Sequence, residues 1–172
     1  MSKSRTAEPP AQAPAAESPS VARVRADAER RGLAIEPRRL ADSTRTAEQA
    51  AEACGVALDQ IVKSIVFREA GSDRHVLFLT AGGNRVDPAR AAELAGAPLE
   101  KADAASVRAA TGFAIGGVAP LGHLTPITVW LDPRLLDFEV VWAAAGTPHH
   151  VFPVAPASLA AAIGATVAAF TA

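Results

Sequence analysis

Lys63 stands in the run Ile61-Val62-Lys63-Ser64-Ile65-Val66-Phe67, where every neighbour but Ser64 is apolar. Alternation along an extended strand puts Lys63 on one face with Ile61, Ile65 and Phe67. An ammonium on an apolar face is costly unless it reaches water, a partner or a cleft. Two readings follow. Lys63 is an edge-strand lysine whose head extends to solvent, or a cleft lysine that holds a phosphate or ribose or carries a lowered pKa. The second chemical candidate is the segment Thr111 to His123, which contains Gly112, Gly116, Gly117 and Gly122 together with Pro120. That composition makes a shaped loop rather than a regular element. Gly116 and Gly117 permit backbone conformations that other residues avoid, and exposed N–H groups there can hold a carbonyl or an oxyanion. The glycine spacing fits neither a P-loop nor a dinucleotide fingerprint. An ordinary wide turn is the alternative.

The third candidate is Ala145-Gly146-Thr147-Pro148-His149-His150. Adjacent strand residues point to opposite faces, so this histidine pair is poorly arranged to chelate one ion. The other histidines are His75 and His123, and no HExxH, CxxC or carboxylate triad accompanies them. We therefore expect no metal and no cofactor, and at most one cleft histidine. His149 is the candidate, against the alternative of a surface strand residue. No GxSxG elbow supplies a serine nucleophile. Cys54, the single cysteine, follows an alanine-rich helix and reads as core filler.

These residues need elements to hold them. Ser18-Pro19 opens a first helix that presents Val21, Val24 and Ala28 on one face and stops at Gly32. Thr46-x-x-Gln49 is a capping box for a second helix closed by Gly55. Gln60–Phe67 and His75–Thr80 read as the strands of a hairpin about the polar turn Glu69–Arg74. Asp87-Pro88 starts a third helix ending at Gly96, and Asp103 caps a fourth running to Ala110. Thr128–Leu131, Glu139–Ala144 and His149–Val154 are strand candidates, and Pro156 opens a last helix ending near Gly164. Strands interleaved with helices, including hairpins, imply a single α/β (α+β) domain over residues 18–172 with a mixed sheet. Residues 1–17, rich in alanine, proline and small polar side chains, cannot bury enough surface to order, so a disordered N-terminal tail is expected there.

Composition bounds the partners. The 172 residues are 49% hydrophobic and 20% charged with net charge -1, so a polyanion must be met by a local patch rather than a global field. Arg23, Arg25, Arg30, Arg31, Arg38, Arg39 and Arg45 supply one such patch, or else a solvated helix face. One cysteine suits a reducing compartment, and no apolar run is long enough for a membrane helix or signal peptide. A cytoplasmic protein without a membrane partner is expected.

The order of these features resembles one family. The lysine strand is followed by Gly82-Gly83-Asn84-Arg85-Val86-Asp87, then by Thr111-Gly112-Phe113 and Gly116-Gly117-Val118-Ala119-Pro120-Leu121-Gly122-His123, then by Ala145-Gly146 before the last strand and helix. The series is similar to the YbaK/EbsC and prolyl-tRNA-editing-domain deacylases over about 150 residues. Gly116-x-x-x-Pro120 looks like that family's GxxxP loop, and Lys63 like its strand lysine. The resemblance implies a barrel-like mixed sheet surrounded by helices, with a cleft between the lysine strand and the loop. It implies a trans-acting hydrolase that cleaves the ester between a small amino acid (Ala, Cys, Ser or Thr) and the terminal adenosine of mischarged tRNA, with a synthetase as a further partner. In that reading Lys63, Gly116 and Gly117 carry the chemistry through a positioned water and main-chain oxyanion donors. Phe113, Ile115, Pro120, Gly122, His123, Asn84, Gly146 and His149 bind substrate, and Val118 helps shape the pocket. A non-catalytic aminoacyl-tRNA or nucleotide-binding module, and a hydrolase of another small acyl ester, are the alternatives.

Overall fold

The computed structural model describes residues 17–41 and 44–172. The tail expected over residues 1–17 therefore lies outside the described residues except for Glu17. Helix α1 (Pro19–Arg30) buries Val21, Val24 and Ala28 as the spacing predicts. Its start rests on Pro19, because the Ser18 side chain makes no capping bond. In α2 (Ala47–Cys54), Thr46 Oγ1 accepts from Gln49 N at 3.1 Å. The Gln49 side chain accepts instead from Arg45 N, so the predicted box closes one residue early. Cys54 ends α2 only half-buried, and burial pushes its thiol pKa up against the charge of Arg38.

Two sheets follow. Strands β2 (Val62–Glu69) and β3 (His75–Ala81) form the expected hairpin. The predicted start at Gln60 is lost to a short 3-10 turn, Leu58–Gln60, where Gln60 accepts from Ala57 N and donates to Val140 O. Around the hairpin lie α3 (Pro88–Ala95), β4 (Leu99–Lys101), α4 (Ala104–Thr111), β5 (Thr128–Leu131) and, past a second sheet, β8 (Thr166–Val167). The order β4-β2-β3-β5-β8 is mixed, because β3 pairs antiparallel with β2 and parallel with β5. Strands β1 (Arg38–Arg39), β7 (His150–Val154) and β6 (Val141–Ala144) make a separate antiparallel sheet. Helix α5 (Pro156–Ile163) follows it. The mixed α/β domain is as expected, but the sheet does not close as a barrel. Strand β4 covers β2 only at Phe67–Glu69, and among the described residues the backbones of the two sheets pair at one isolated bridge, Ile61 with Trp142, while their side chains share the main core. No helix among the described residues is long and apolar enough to cross a membrane.

The main core gathers Val24, Leu77, Leu79, Phe113, Leu131, Phe152 and Leu159 between the sheets and α1. A second cluster stacks Phe78 on Trp130, with ring centroids 4.9 Å apart, and sets Phe170 edge-on to Phe78. Helix α1 is tied to the Gly122 turn by Asp27, which is 6% exposed. Its carboxylate accepts from Gly122 N at 2.8 Å, from Arg31 Nε at 2.9 Å and from Arg30. Burial alone would raise the Asp27 pKa; the Arg31 bond, the Gly122 amide and Arg30 outweigh it and hold the pKa below the ordinary value. A depressed folded pKa gives stability that is present above the unfolded pKa of about 3.9 and is lost as pH falls through the folded value. Asp27→Asn is expected to cost about 1 kcal/mol at neutral pH. In thermal melts the gap between the variant and wild type should narrow as pH falls below the unfolded pKa of about 3.9 and through the lower folded value; a gap that stays constant with pH would show that charge is not what Asp27 contributes.

Candidate active site

Between the uncovered edge of β2 and the β6–β7 hairpin lies a cleft of about 300 Å³. Its floor is Ile61 to Ile65; its walls include Ile115, Gly116, Val118, Trp142, Pro148 and His150; Arg45 and Thr46 stand at one end. Glu69 N bonds Arg74 O on the β3 side while Ala70 N bonds Pro98 O on the other. Ladder alternation therefore turns the amide and carbonyl of Ser64 away from β3, toward the cleft edge. The Ser64 hydroxyl is also buried without a partner among the described residues.

Lys63 is the cleft's cation. Its ammonium donates to the main-chain carbonyl of Asn84. Burial, followed by the nearby charge of Arg85, holds its pKa below the ordinary lysine value, while Glu48, Asp59 and Asp132 oppose that shift. Both sequence alternatives for this residue assumed a partner or water; the partner is a carbonyl, which fixes the head without neutralising it.

The glycine loop divides into parts with different tasks. Gly117 N donates to Ala114 O at 2.9 Å, closing a turn whose third position, Gly116, has φ +89. That φ is open to glycine and strained for other residues, as in a type II turn. The Gly117 amide is thus occupied within the turn, whereas Gly116 N has no acceptor among the described residues. Gly117 is small for a different reason: a Cβ there would lie 2.7 Å from the Thr147 backbone, so the residue lets two loops touch.

Of the predicted site residues, Lys63, Ile115, Gly116 and Val118 meet in this cleft. Asn84 reaches it only through its carbonyl on Lys63; its side chain turns to Asp132, with Nδ2 2.9 Å from Oδ2. Phe113 is fully buried in the core beneath the Arg23 guanidinium, which lies 4.5 Å from the ring centroid, so it does not line the cleft. Pro120 and His123 lie beyond the loop, in a separate depression with Asp27, Arg30 and Arg31. There His123 Nε2 donates to Ala119 O at 2.7 Å, and burial keeps its pKa low. Gly122 serves the α1 contact. Gly146, at φ +104, lets the chain pass Ser20, whose carbonyl would lie 2.8 Å from an added Cβ.

His149 is exposed and outside the cleft; His150 lines it instead. Thr147 Oγ1 accepts from His149 N at 3.1 Å and pairs with His150 Nδ1, 2.6 Å away. The hydroxyl can donate to or accept from that nitrogen, according to the imidazole tautomer. Burial, then Arg39 and His149, lowers the His150 pKa. The Thr147-Pro148-His149 turn was the available signal. Trp142 was missed because nothing in its own neighbourhood of sequence points to β2.

The seven arginines also divide. Arg25 pairs with Glu17, and Arg30 and Arg31 pair with Asp27. Arg23 donates to Gly122 O and Thr111 O. Arg38 lies over the Trp142 ring, 5.2 Å from its centroid. With Arg45 in the cleft wall and Arg39 near His150, three arginines surround the mouth.

Comparison with known proteins gives the family and the fold. Residues 41–162 match the family model described as the aminoacyl-tRNA editing domain. The chain is 35% identical to the YwhH protein of Bacillus subtilis (strain 168) over 117 residues, 68% of this chain and 74% of YwhH. A crystal structure of a candidate trans-editing enzyme for prolyl tRNA synthetase superposes with a TM-score of 0.85 at 46% identity, covering 91% of this chain and 99% of that one. The crystal structure of hypothetical protein APE2540 superposes at 0.80 with 29% identity, covering 87% and 99%.

Proposed function

Because the chain belongs to the aminoacyl-tRNA editing domain family, we propose that it acts in trans as a deacylase, hydrolysing the ester between a small amino acid and the terminal adenosine of mischarged tRNA. One observation carries the reading: a partly buried lysine on the floor of a largely apolar cleft, whose polar lining is hydroxyl, imidazole and guanidinium groups, with no carboxylate lining it among the described residues. A positive, half-dry cleft favours an anionic transition state and the phosphate of a 3′ terminus. Its volume is at the low end of the roughly 300–1,000 Å³ of small-ligand sites, so only the terminal nucleoside and its amino acid would enter. Arg38, Arg39 and Arg45 would take phosphates outside.

Ester hydrolysis needs no protein nucleophile if water is positioned and the oxyanion is held. In this reading Gly116 N is the main-chain donor to the oxyanion, and Lys63 holds the terminal phosphate or ribose. The substrate's α-ammonium, lacking a carboxylate, meets the carbonyl and hydroxyl oxygens of Ser64. His150, held at Nδ1 by Thr147, presents its other ring nitrogen to the ribose or the attacking water. Ile115, Val118, Trp142 and Pro148 set the side-chain size limit, where one methylene is worth about 1–3 kcal/mol. Likeness to the candidate trans-editing enzyme makes tRNA-Pro the first substrate to test, with the prolyl synthetase as the partner.

The test is a deacylation panel on tRNA-Pro charged with alanine, serine, threonine or cysteine. Wild type is expected to release at least one amino acid well above the spontaneous rate. Binding of charged tRNA with no release from any member would establish the non-catalytic module instead. Release from a small acyl ester lacking tRNA, at the same efficiency, would remove the need for the arginine rim.

A further inference from the structure

The Lys63 ammonium is held by a carbonyl, and that carbonyl is itself held. The turn Ala81–Asn84 closes with Asn84 N on Ala81 O at 2.9 Å. Asp132, 2% exposed at the end of β5, braces both ends of this turn with one oxygen: its Oδ2 accepts from Ala81 N at 3.1 Å and from Asn84 Nδ2 at 2.9 Å. Its Oδ1 accepts from Arg134 N at 3.0 Å, and its own amide donates to Leu79 O at 2.9 Å. The middle of the turn is fixed separately. Gly83 N donates to Asp59 Oδ1 at 2.8 Å, and Arg134 Nε donates to Asp59 Oδ2 at 3.0 Å. A side chain at Gly82 would overlap the Leu58 carbonyl. Asp132, Asn84, Gly83, Asp59 and Arg134 thus form a closed ring behind the lysine, on the side away from the cleft.

From this ring we infer that Asp132 is a positioning residue for the deacylation reaction: it fixes the Ala81–Asn84 turn so that the Asn84 carbonyl holds the Lys63 ammonium at the cleft floor. The inference rests on the deacylase reading for its effect on rate, but not for its effect on Lys63 itself. A buried carboxylate that accepts three hydrogen bonds is more than a strand terminus requires. Two of those bonds fix the one turn whose carbonyl meets the lysine. Asp132 also places a negative charge behind an ammonium that burial and Arg85 disfavour. The other charged or titratable groups facing Lys63 are Glu48 from α2, Asp59 from the 3-10 turn, Arg45 ahead of α2 and His150 from β7.

Two variants separate position from charge. Asp132→Asn removes the charge and one acceptor geometry; Asn84→Ala cuts the tether and keeps the charge. Glu100→Gln, an exposed carboxylate paired with Arg68 on β4, is the control. The chain has three lysines, Lys3, Lys63 and Lys101, so the Lys63 side-chain ¹³Cε resonance can be titrated directly. In Asp132→Asn the Lys63 titration is expected to move to lower pH. The alkaline limb of kcat, corrected for spontaneous hydrolysis, should move with it. Both variants should lower kcat by about 10- to 100-fold, the range for a displaced reacting group, with little change in KM. Asn84→Ala should do so without the pH displacement. A Lys63 titration and a kcat in Asp132→Asn that superimpose on wild type and Glu100→Gln would overturn the inference. So would a fall in melting temperature with neither readout altered. If wild type releases no amino acid but the Lys63 titration moves as stated, the bracing of the lysine stands and the deacylase reading fails.

Discussion

Lys63→Ala is expected to lower kcat/KM for aminoacyl-tRNA hydrolysis by about 10²- to 10³-fold, the loss seen when one preorganised oxyanion or phosphate contact is removed. The magnitude follows from the surroundings. An exposed lysine pair contributes only about 0–1 kcal/mol. Lys63 is part-buried, its pKa is already lowered by burial and Arg85, and its head is fixed on the Asn84 carbonyl. At an effective dielectric near 20, a unit charge about 4 Å away is worth roughly 4 kcal/mol. The melting temperature should change little, since the aliphatic stem leaves a wall that already faces a cleft. Lys63→Arg should not restore the rate, because a planar fork cannot reproduce a single ammonium on one carbonyl. Single-turnover kinetics at saturating enzyme would check this; wild-type rates for Lys63→Ala would remove the lysine from the mechanism.

Gly117→Ala is expected to destabilise the protein by about 3 kcal/mol, the upper part of the usual range for overpacking. A new Cβ would meet Thr147 Cα and C at 2.7 Å and Pro148 N at 3.0 Å. These are backbone atoms, so no side chain can turn aside. For a domain of this size the melting temperature should fall by roughly 6–12 °C. Activity should fall too, because the loop contact sets Gly116 against Pro148 across the cleft. Gly116→Ala makes the contrast. Its Cβ meets only Pro148 side-chain atoms at 3.9 Å, so the cost is the left-handed φ, about 1–2 kcal/mol. Calorimetry on the two variants should rank them in that order; the reverse order would mean that the loops separate without resistance.

The contrast also explains what the sequence could carry. Helix caps, the β2–β3 hairpin and β5 were legible because each is set by neighbours in sequence: proline at N1, aspartate at N-cap, alternation, glycine at the stop. Lys63 and Gly116 were legible for the same reason, one as a charge in an apolar strand, the other as a glycine in a turn. Strands β1, β4 and β8 were not, since two or three residues have no period. Gly117, Gly122 and Gly146 look like Gly116 in sequence, yet remote backbone approaches each of them, Thr147 at Gly117 and helix α1 at Gly122 and Gly146, and the last two also take a positive φ. Phe113 and His123 were grouped with the cleft by adjacency to Gly116, but the loop turns them to its other side, toward α1. Asp132-Pro133 carries the local signal of a helix cap, which Asp132 also serves, but its bonds to the Ala81–Asn84 turn had none, because those partners are 48 and 51 residues away.

The meeting of the two sheets at a single bridge, Ile61 with Trp142, has an evolutionary consequence. Lys63, its carbonyl and the ring behind it belong to the five-stranded sheet and its turns. Trp142, Ala144, His150 and Val151 belong to the other sheet. Mutations on the second side can drift, widening or narrowing the space above the lysine, without disturbing the ladder that supports it. Under the proposed deacylase reading, a lineage built this way could exchange one preferred amino acid for another through changes at Trp142, Ala144 and Val151 while keeping Lys63 and its support on the other sheet.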